Sequence, residues 1–141
     1  MTEMQGAVGL AQIKKLKKIL DENKKRYNIL YKNLKKNYKI RTQFKGTTPS
    51  YDTMMFEVKN SHLRSKIIKF LKKKKVGTKN VPDAIKWHFA HYWKHALKKE
   101  QIKSIQSSRK KIEKYIAIPI MIKLKVKIYE EIGNYLKKLA N

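Results

Sequence analysis

Apolar residues at Ile13, Leu16, Leu20, Tyr27, Leu30 or Tyr31, and Leu34 recur three, four or seven positions apart. That spacing puts them on one face of a helix, with the intervening lysines on the other. The segment Thr2-Glu3-Met4-Gln5 has the Ser/Thr-x-x-Glu/Gln form of a capping box, so the helix is expected to start almost at residue 2. One long helix over 1–36 follows, with Asp21 to Asn23 as the place for a bend. Gly6 and Gly9, beside Ala7 and Ala11, each cost such a helix about 1 kcal/mol relative to alanine. Their presence predicts close approach of another backbone, within the fold or across a subunit interface.

After residue 36 the period changes. Asn37 to Phe44 reads as a strand, Gly46-Thr47-Thr48-Pro49-Ser50 as a turn and Tyr51 to Val58 as a second strand, which together predict an antiparallel hairpin. Asn60 or Ser61 can cap a helix from His62 to Lys75 whose apolar positions are Leu63, Ile67, Ile68, Phe70 and Leu71. Lys72 to Lys75 sit where cations favour the helix dipole, and Gly77 is placed to end the helix. Val76 to Val81 reads as a short strand, and an aromatic loop or short helix runs from Pro82 to about Leu97. Ile102 to Lys114 reads as helix and Tyr115 to Met121 as a final strand, an edge or a short one because Pro119 cannot donate to a ladder. Val126 to Ala140 closes the chain as an amphipathic helix. The plan is α+β: a long N-terminal helix over 1–36, then an α+β portion over 37–141 in which a short antiparallel sheet is covered by helices.

Composition narrows the function. The 141 residues suit one domain, and with 41% hydrophobic and 33% charged residues the chain reads as a folded, heavily charged protein. It has no cysteine, so disulfide frameworks and thiolate metal sites are excluded. Its longest nearly uncharged apolar run, Tyr115 to Ile122, falls far short of the roughly 20 residues that span a bilayer. The run Ala7 to Ala11 follows Glu3 and lacks the basic flank of a signal peptide, so the reading is cytoplasmic, with no membrane partner.

The net charge of +26 points first to nucleic acid. Against that, only four of the 36 basic residues are arginine (Arg26, Arg41, Arg64, Arg109), and the bidentate grip of a dedicated nucleic-acid reader favours arginine. The lysines also spread over every segment with many isoleucines and asparagines, as expected where AT-rich codons fill solvated positions. Nucleic acid is therefore not the expected partner. A small lysine-rich nucleic-acid-binding protein stands as an alternative, and attraction to a membrane surface or an anionic substrate as a further one.

The stretch from Thr78 to His95 gathers three of the four histidines and both tryptophans, those five within nine residues. His88, His91 and His95 are spaced three and four apart, which on one helix would face the same way and permit metal ligation. Only Asp83 lies nearby and no cysteine exists, so no metal is assigned. Two readings stay open: an aromatic satellite core with hydrogen-bonded histidines, or a substrate-facing loop whose rings stack on a sugar or base. No Gly-x-Ser-x-Gly elbow, phosphate-binding glycine loop or His-Glu-x-x-His pair occurs. Asp52 and Glu57 sit in the hairpin with nothing to pair them as acid and base.

Three stretches carry a resemblance. Met1-Thr-Glu-Met-Gln-Gly-Ala-Val-Gly-Leu-Ala-Gln-Ile-Lys-Lys-Leu16 closely resembles the Met-Thr-Glu-Leu-Gln-Ala-Ala-Leu-Gly-Leu-Ala-Gln-Leu helix of the DegT/DnrJ/StrS family of pyridoxal phosphate (PLP) dependent sugar aminotransferases. Ile116-Ala-Ile-Pro-Ile120 and Lys123 to Ile132 resemble that family's closing strand and final helix. Pro82-Asp-Ala-Ile-Lys-Trp-His88 is similar to members acting on keto-sugars for surface polysaccharide or lipopolysaccharide synthesis. The resemblance covers essentially the whole chain.

It implies a fold-type I aminotransferase, in which a large PLP domain precedes the small domain represented here, assembled as a homodimer with active sites at the interface. There a lysine forms the Schiff base, an acidic residue holds the pyridine nitrogen, and an amino group passes from glutamate to a keto-sugar. Those residues precede the Met-Thr-Glu helix, and no lysine of this chain matches the Schiff-base position. The family's Asn-Tyr-Arg-like stretch ahead of the methionine is also missing, so Met1 reads as an internal methionine. The expectation is a C-terminal small-domain fragment, inactive alone, with PLP bound by the intact enzyme and not by this fragment, and no catalytic or cofactor-binding residue of its own. Carried over from the family, the substrate-binding residues are His88, His91 and Tyr92, with Trp87 and Trp93 stacking; the sequence departs here from the commoner His-Tyr-x-Pro-x-His form. The implied partner is a second copy or a PLP-domain chain, docked through the 1–36 helix. A non-catalytic partner subunit is the other alternative.

Overall fold

Thr2 caps the first helix as its spacing predicts: its hydroxyl accepts from Gln5 N, and the Gln5 side chain accepts from Thr2 N. The computed structural model describes residues 2–79 and 81–140. Met1, the first residue of the family-like stretch, and Asn80 in the 76–81 segment lie outside the described residues.

The elements are α1 (Glu3–Leu34), β1 (Lys39–Ile40), β2 (Thr53–Glu57), α2 (Ser61–Lys73), α3 (Ile85–His88), a single 3-10 turn (Ala90–Tyr92), α4 (Lys99–Ser104), α5 (Gln106–Ile112), β3 (Tyr115–Pro119) and α6 (Val126–Ala140). The fold is α+β, with six α-helices among the described residues and a three-stranded antiparallel sheet in the order β1-β2-β3. Met54 faces Ile118 and Phe56 faces Ile116 across β2 and β3, so alternate residues of both strands line the buried face. Over that face close Tyr27, Leu30 and Leu34 of α1, Ile67 and Leu71 of α2, and Tyr129, Ile132 and Leu136 of α6. Fully burying each such side chain contributes about 1.5–3 kcal/mol.

Two polar groups lock α1 and α6 onto the loop between β3 and α6. The buried Arg26 guanidinium donates to the carbonyls of Ile122, Leu124 and Glu22, and its ion pair with Glu22 neutralises it. The Tyr129 hydroxyl accepts from Met121 N at 2.8 Å.

Several sequence expectations change. The strand foreseen over 37–44 shrinks to two residues, because Asn37 N and Tyr38 N still bond back to Leu34 O and the chain leaves the ladder after Arg41 N reaches Met55 O. Phe44, 87% exposed, has no apolar surface to meet. The hairpin itself forms, antiparallel, with Lys39 opposite Glu57. No strand is assigned to the described residues of 76–81, although Lys79 N donates to Ala117 O and Ala117 N to Val81 O, so this segment lies along the outer edge of β3. The helix expected over 102–114 breaks at Ile105 into α4 and α5, beside Ser104, whose hydroxyl competes for the Gln101 carbonyl.

α2 is capped by Asn60, whose side chain accepts from Leu63 N. Its end is not made by Gly77. Lys75 takes the left-handed position at φ +56°, Lys75 N bonds to Lys72 O and Val76 N to Leu71 O, which is a Schellman closure with the buried Val76 as its apolar contact.

Nor is the α1 stripe buried throughout. From Asn23 onward it faces the core, whereas Ile13 is 69% exposed and Leu16 49%. A Cβ on Gly9 would meet nothing within 4 Å, so no backbone approaches it within the described chain. The close approach lies elsewhere, where Gly133 of α6 passes Asn33 of α1.

Candidate functional site

The histidine-rich stretch does not form one helix. α3 has no side-chain cap and ends after four residues, because Phe89 adopts extended backbone (φ −111°, ψ +121°) before the 3-10 turn begins. His88, His91 and His95 therefore do not share a helical face, and among the described residues no group of three His, Cys, Asp or Glu is disposed to hold a metal. The break splits the five aromatic candidates. Trp87 and His88 point outward, Trp87 being 81% exposed. Trp93 lies beside them at the surface and donates from Nε1 to the Trp87 carbonyl at 3.0 Å. His91 turns inward, 5% exposed, with its ring 3.8 Å from that of Tyr92 and its Nε2 without a hydrogen-bond partner.

Tyr92 leads to residues that sequence reading missed. Its hydroxyl donates to Glu113 Oε1 at 3.1 Å, the same oxygen accepts from Arg109 Nε at 2.9 Å, and the Arg109 guanidinium sits 5.6 Å from the Tyr92 ring centre. Arg64 of α2 reaches in from the other side, donating from Nε to the Tyr115 carbonyl, while its Nη2 is buried without a partner. Only the i, i+4 spacing of Arg109 and Glu113 was visible in the sequence, and it reads there as an ordinary surface pair. A cavity of about 540 Å³ opens among Asn60, Arg64, Ile85, Tyr92, Lys110 and Glu113.

The electrostatics follow from that packing. The Arg109 hydrogen bond holds the Glu113 carboxyl below the usual range against the opposing effect of burial, so Glu113 is a carboxylate at neutral pH. Burial raises the Tyr92 phenol, and the neighbouring Glu113 charge adds to that. Burial lowers the His91 imidazole and Arg109 pushes the same way, which leaves His91 neutral near pH 7. The wall thus offers one carboxylate, one neutral phenol and several cations, a set that can hydrogen-bond hydroxyls and attract an anionic group. Asp52 is engaged elsewhere, by an ion pair with Lys79.

These residues do not fit PLP as its Schiff-base holder. Among the described residues the buried polar side chains are Asn23, Arg26 and His91, and no lysine is buried. The lysine nitrogens that meet a carboxylate, Lys74 on Glu131 and Lys79 on Asp52, do so as partly exposed ion pairs. No helix among the described residues is long and apolar enough to cross a membrane.

No curated protein matches the chain. The profile of the DegT/DnrJ/EryC1/StrS aminotransferase family matches residues 1–137, running from the capped α1 helix through the Tyr92 cavity and into the last turn of α6. The chain belongs to the DegT/DnrJ/EryC1/StrS aminotransferase family.

Proposed function

We propose that these residues are the small-domain portion of a fold-type I, PLP-dependent aminotransferase that acts on a keto-sugar, in the assembly of surface polysaccharide or lipopolysaccharide. The observation that carries this reading is the family match over residues 1–137 in a chain whose described lysines are all outside the core. The PLP-binding lysine and its acidic partner then come from polypeptide other than these residues. Tyr92 supplies a polar contact to sugar hydroxyls from the cavity wall with His91 packed against its ring, His88 adds a contact from the surface beside it, and Trp87 with Trp93 offers ring faces for stacking on the pyranose.

The test is transamination between an amino donor and a keto-sugar in the presence of PLP. The 141-residue chain alone should be inactive, and activity should appear when a chain carrying the lysine-bearing domain is added. Turnover by the chain alone would refute the proposal. Replacing Trp87 by Ala in the active mixture should raise KM for the sugar more than it lowers kcat, since stacking acts before and during the reaction alike.

The exposed residues Met4, Val8, Leu10, Ile13 and Leu16 favour a docking role for the first half of α1. Its occupant in this reading is a second copy or the PLP-domain chain, joined through the 1–36 helix, with Gly6 and Gly9 allowing close backbone approach. Co-purification of the two chains, lost on Ile13→Lys, is the expected result.

A further inference from the structure

The hydrophobic core takes no residue between positions 77 and 115. The four helical elements in that interval, α3 to α5 with the 3-10 turn, bury a single side chain, that of His91. Helices this short depend on packing against a body, and these have little of it. Residues 84–113 leave the body after Val81, whose carbonyl accepts from Ala117 N at 2.9 Å. They return at Lys114, whose carbonyl accepts from Val58 N at 2.9 Å. Both ends are therefore moored beside the sheet.

Between those moorings the polar contacts run within the segment. Tyr92 and Arg109 both bond to Glu113, and Trp93 Nε1 bonds to the Trp87 carbonyl. Among the described residues, apart from the backbone turns at its two ends, no hydrogen bond or ion pair joins 84–113 to the rest of the chain. The cavity of about 540 Å³ is the seam between the two parts: Asn60, Ser61 and Arg64 line it from the body, and Ile85, Tyr92 and Glu113 from the segment. Arg64 attracts Glu113 across it, while its Nε is spent on the Tyr115 carbonyl.

Two features load this seam toward opening. Arg64 Nη2, at the seam, and His91 Nε2, beside Tyr92, are buried without hydrogen-bond partners, a cost that water would relieve. The segment also carries eight basic and two acidic residues, +6 of the chain's +26, so a body of +20 repels it. The Arg64–Glu113 attraction works the other way.

We propose that residues 84–113 form a lid that swings from the body as one unit, parting the seam between Arg64 and Glu113, whose attraction is its latch. Trp87, His88, His91, Tyr92 and Trp93 all ride on this lid and move with it.

The chain has no cysteine, so spin labels can be placed at will. One pair, at Lys66→Cys on α2 and Lys103→Cys on α4, reads the distance across the seam of the 141-residue chain; both positions are exposed. A second pair, Lys86→Cys with Lys103→Cys, reads the lid itself. The first pair should show two distances and the second only one. Lowering salt from about 0.1 M to about 0.01 M lengthens screening from about 10 Å to about 30 Å and should raise the ratio of long to short about threefold. Glu113→Gln and Arg64→Gln should each raise it about fivefold, the scale of a partly exposed charge pair, and the double variant should rise no further. The lid is refuted by one short distance in wild type and both variants at either salt. It is refuted equally by broadening of the second pair, which means unravelling, or by additive effects of the two variants. Should Glu113→Gln fail to fold, the wild-type salt dependence and Arg64→Gln still decide. No substrate or cofactor is needed, so failure here leaves the aminotransferase reading untouched.

Discussion

Replacing Gly133 by alanine puts a methyl group where α6 crosses α1. The added Cβ would lie 2.7 Å from Asn33 Nδ2, 3.0 Å from Asn33 Cγ and 3.2 Å from Asn33 Cβ, against the roughly 3.5–4.0 Å at which carbon atoms rest. Rotating the Asn33 amide relieves the first contact at the expense of its hydrogen bond to the Ile29 carbonyl, 2.9 Å long, and leaves the last untouched. The alternative is for α6 to move outward by a few tenths of an ångström, which loosens Leu30, Leu34, Ile132 and Leu136 together. Overpacking of this kind costs about 1–3 kcal/mol. Alanine regains about 1 kcal/mol of helix propensity over glycine. The net expectation is destabilisation by about 1 kcal/mol, or about 4 °C in Tm for a chain of this size. In an Asn33→Ala background the two shortest contacts vanish and Gly133→Ala should become neutral or mildly stabilising. Thermal unfolding followed by circular dichroism on the four proteins of that cycle measures the coupling directly. If Gly133→Ala raised Tm equally in both backgrounds, the close α1–α6 contact would be wrong.

Lys75→Gly should stabilise the fold by about 1 kcal/mol, because glycine carries no penalty at φ +56°; a denaturant midpoint unchanged or lowered would contradict the left-handed closure of α2. His91, with its pKa lowered below 6.5, binds its proton more readily when unfolded, so its contribution is complete above about pH 6.5 and is lost as pH falls toward the folded value. Glu113, lowered below 4.5, contributes in the same sense but lower down, above about pH 4.5 and lost on further acidification. A His91→Phe protein should therefore show a flatter stability profile just below pH 6.5 while keeping the lower limb, and an unchanged profile would remove His91 from the account. Ile13→Lys with Leu16→Lys should leave Tm within about 0.5 kcal/mol of wild type, since these side chains are exposed, while reducing self-association in sedimentation.

The capping box at Thr2, the cap at Asn60, the edge position of the Pro119 strand and the bounds of α6 were legible in the chain because each is written in residues within one or two turns of one another. The same holds for the family resemblance, which rides on continuous stretches of the kind that a profile over residues 1–137 also detects. Periodicity announces an apolar stripe, but it does not say how far the core extends. The stripe of α1 recurs from Ile13 to Leu34, yet the sheet and α6 cover only its second half.

What the tertiary structure alone decided concerns pairs far apart in the chain. Tyr92 meets Glu113 across 21 residues, Arg64 meets Tyr115 across 51, and Arg26 meets Leu124 across 98. A lysine rather than a nearby glycine closes α2 because burial of Val76 and two backbone hydrogen bonds outweigh the local preference for glycine. The sequence by itself determined most of the element types, the N-caps of α1 and α2, and the family, which rest on residues close together in the chain. Which histidine is buried, which arginine lines a cavity and which glycine touches a neighbouring helix depend on how the layers dock, and that is settled by packing of side chains that no local pattern brings together.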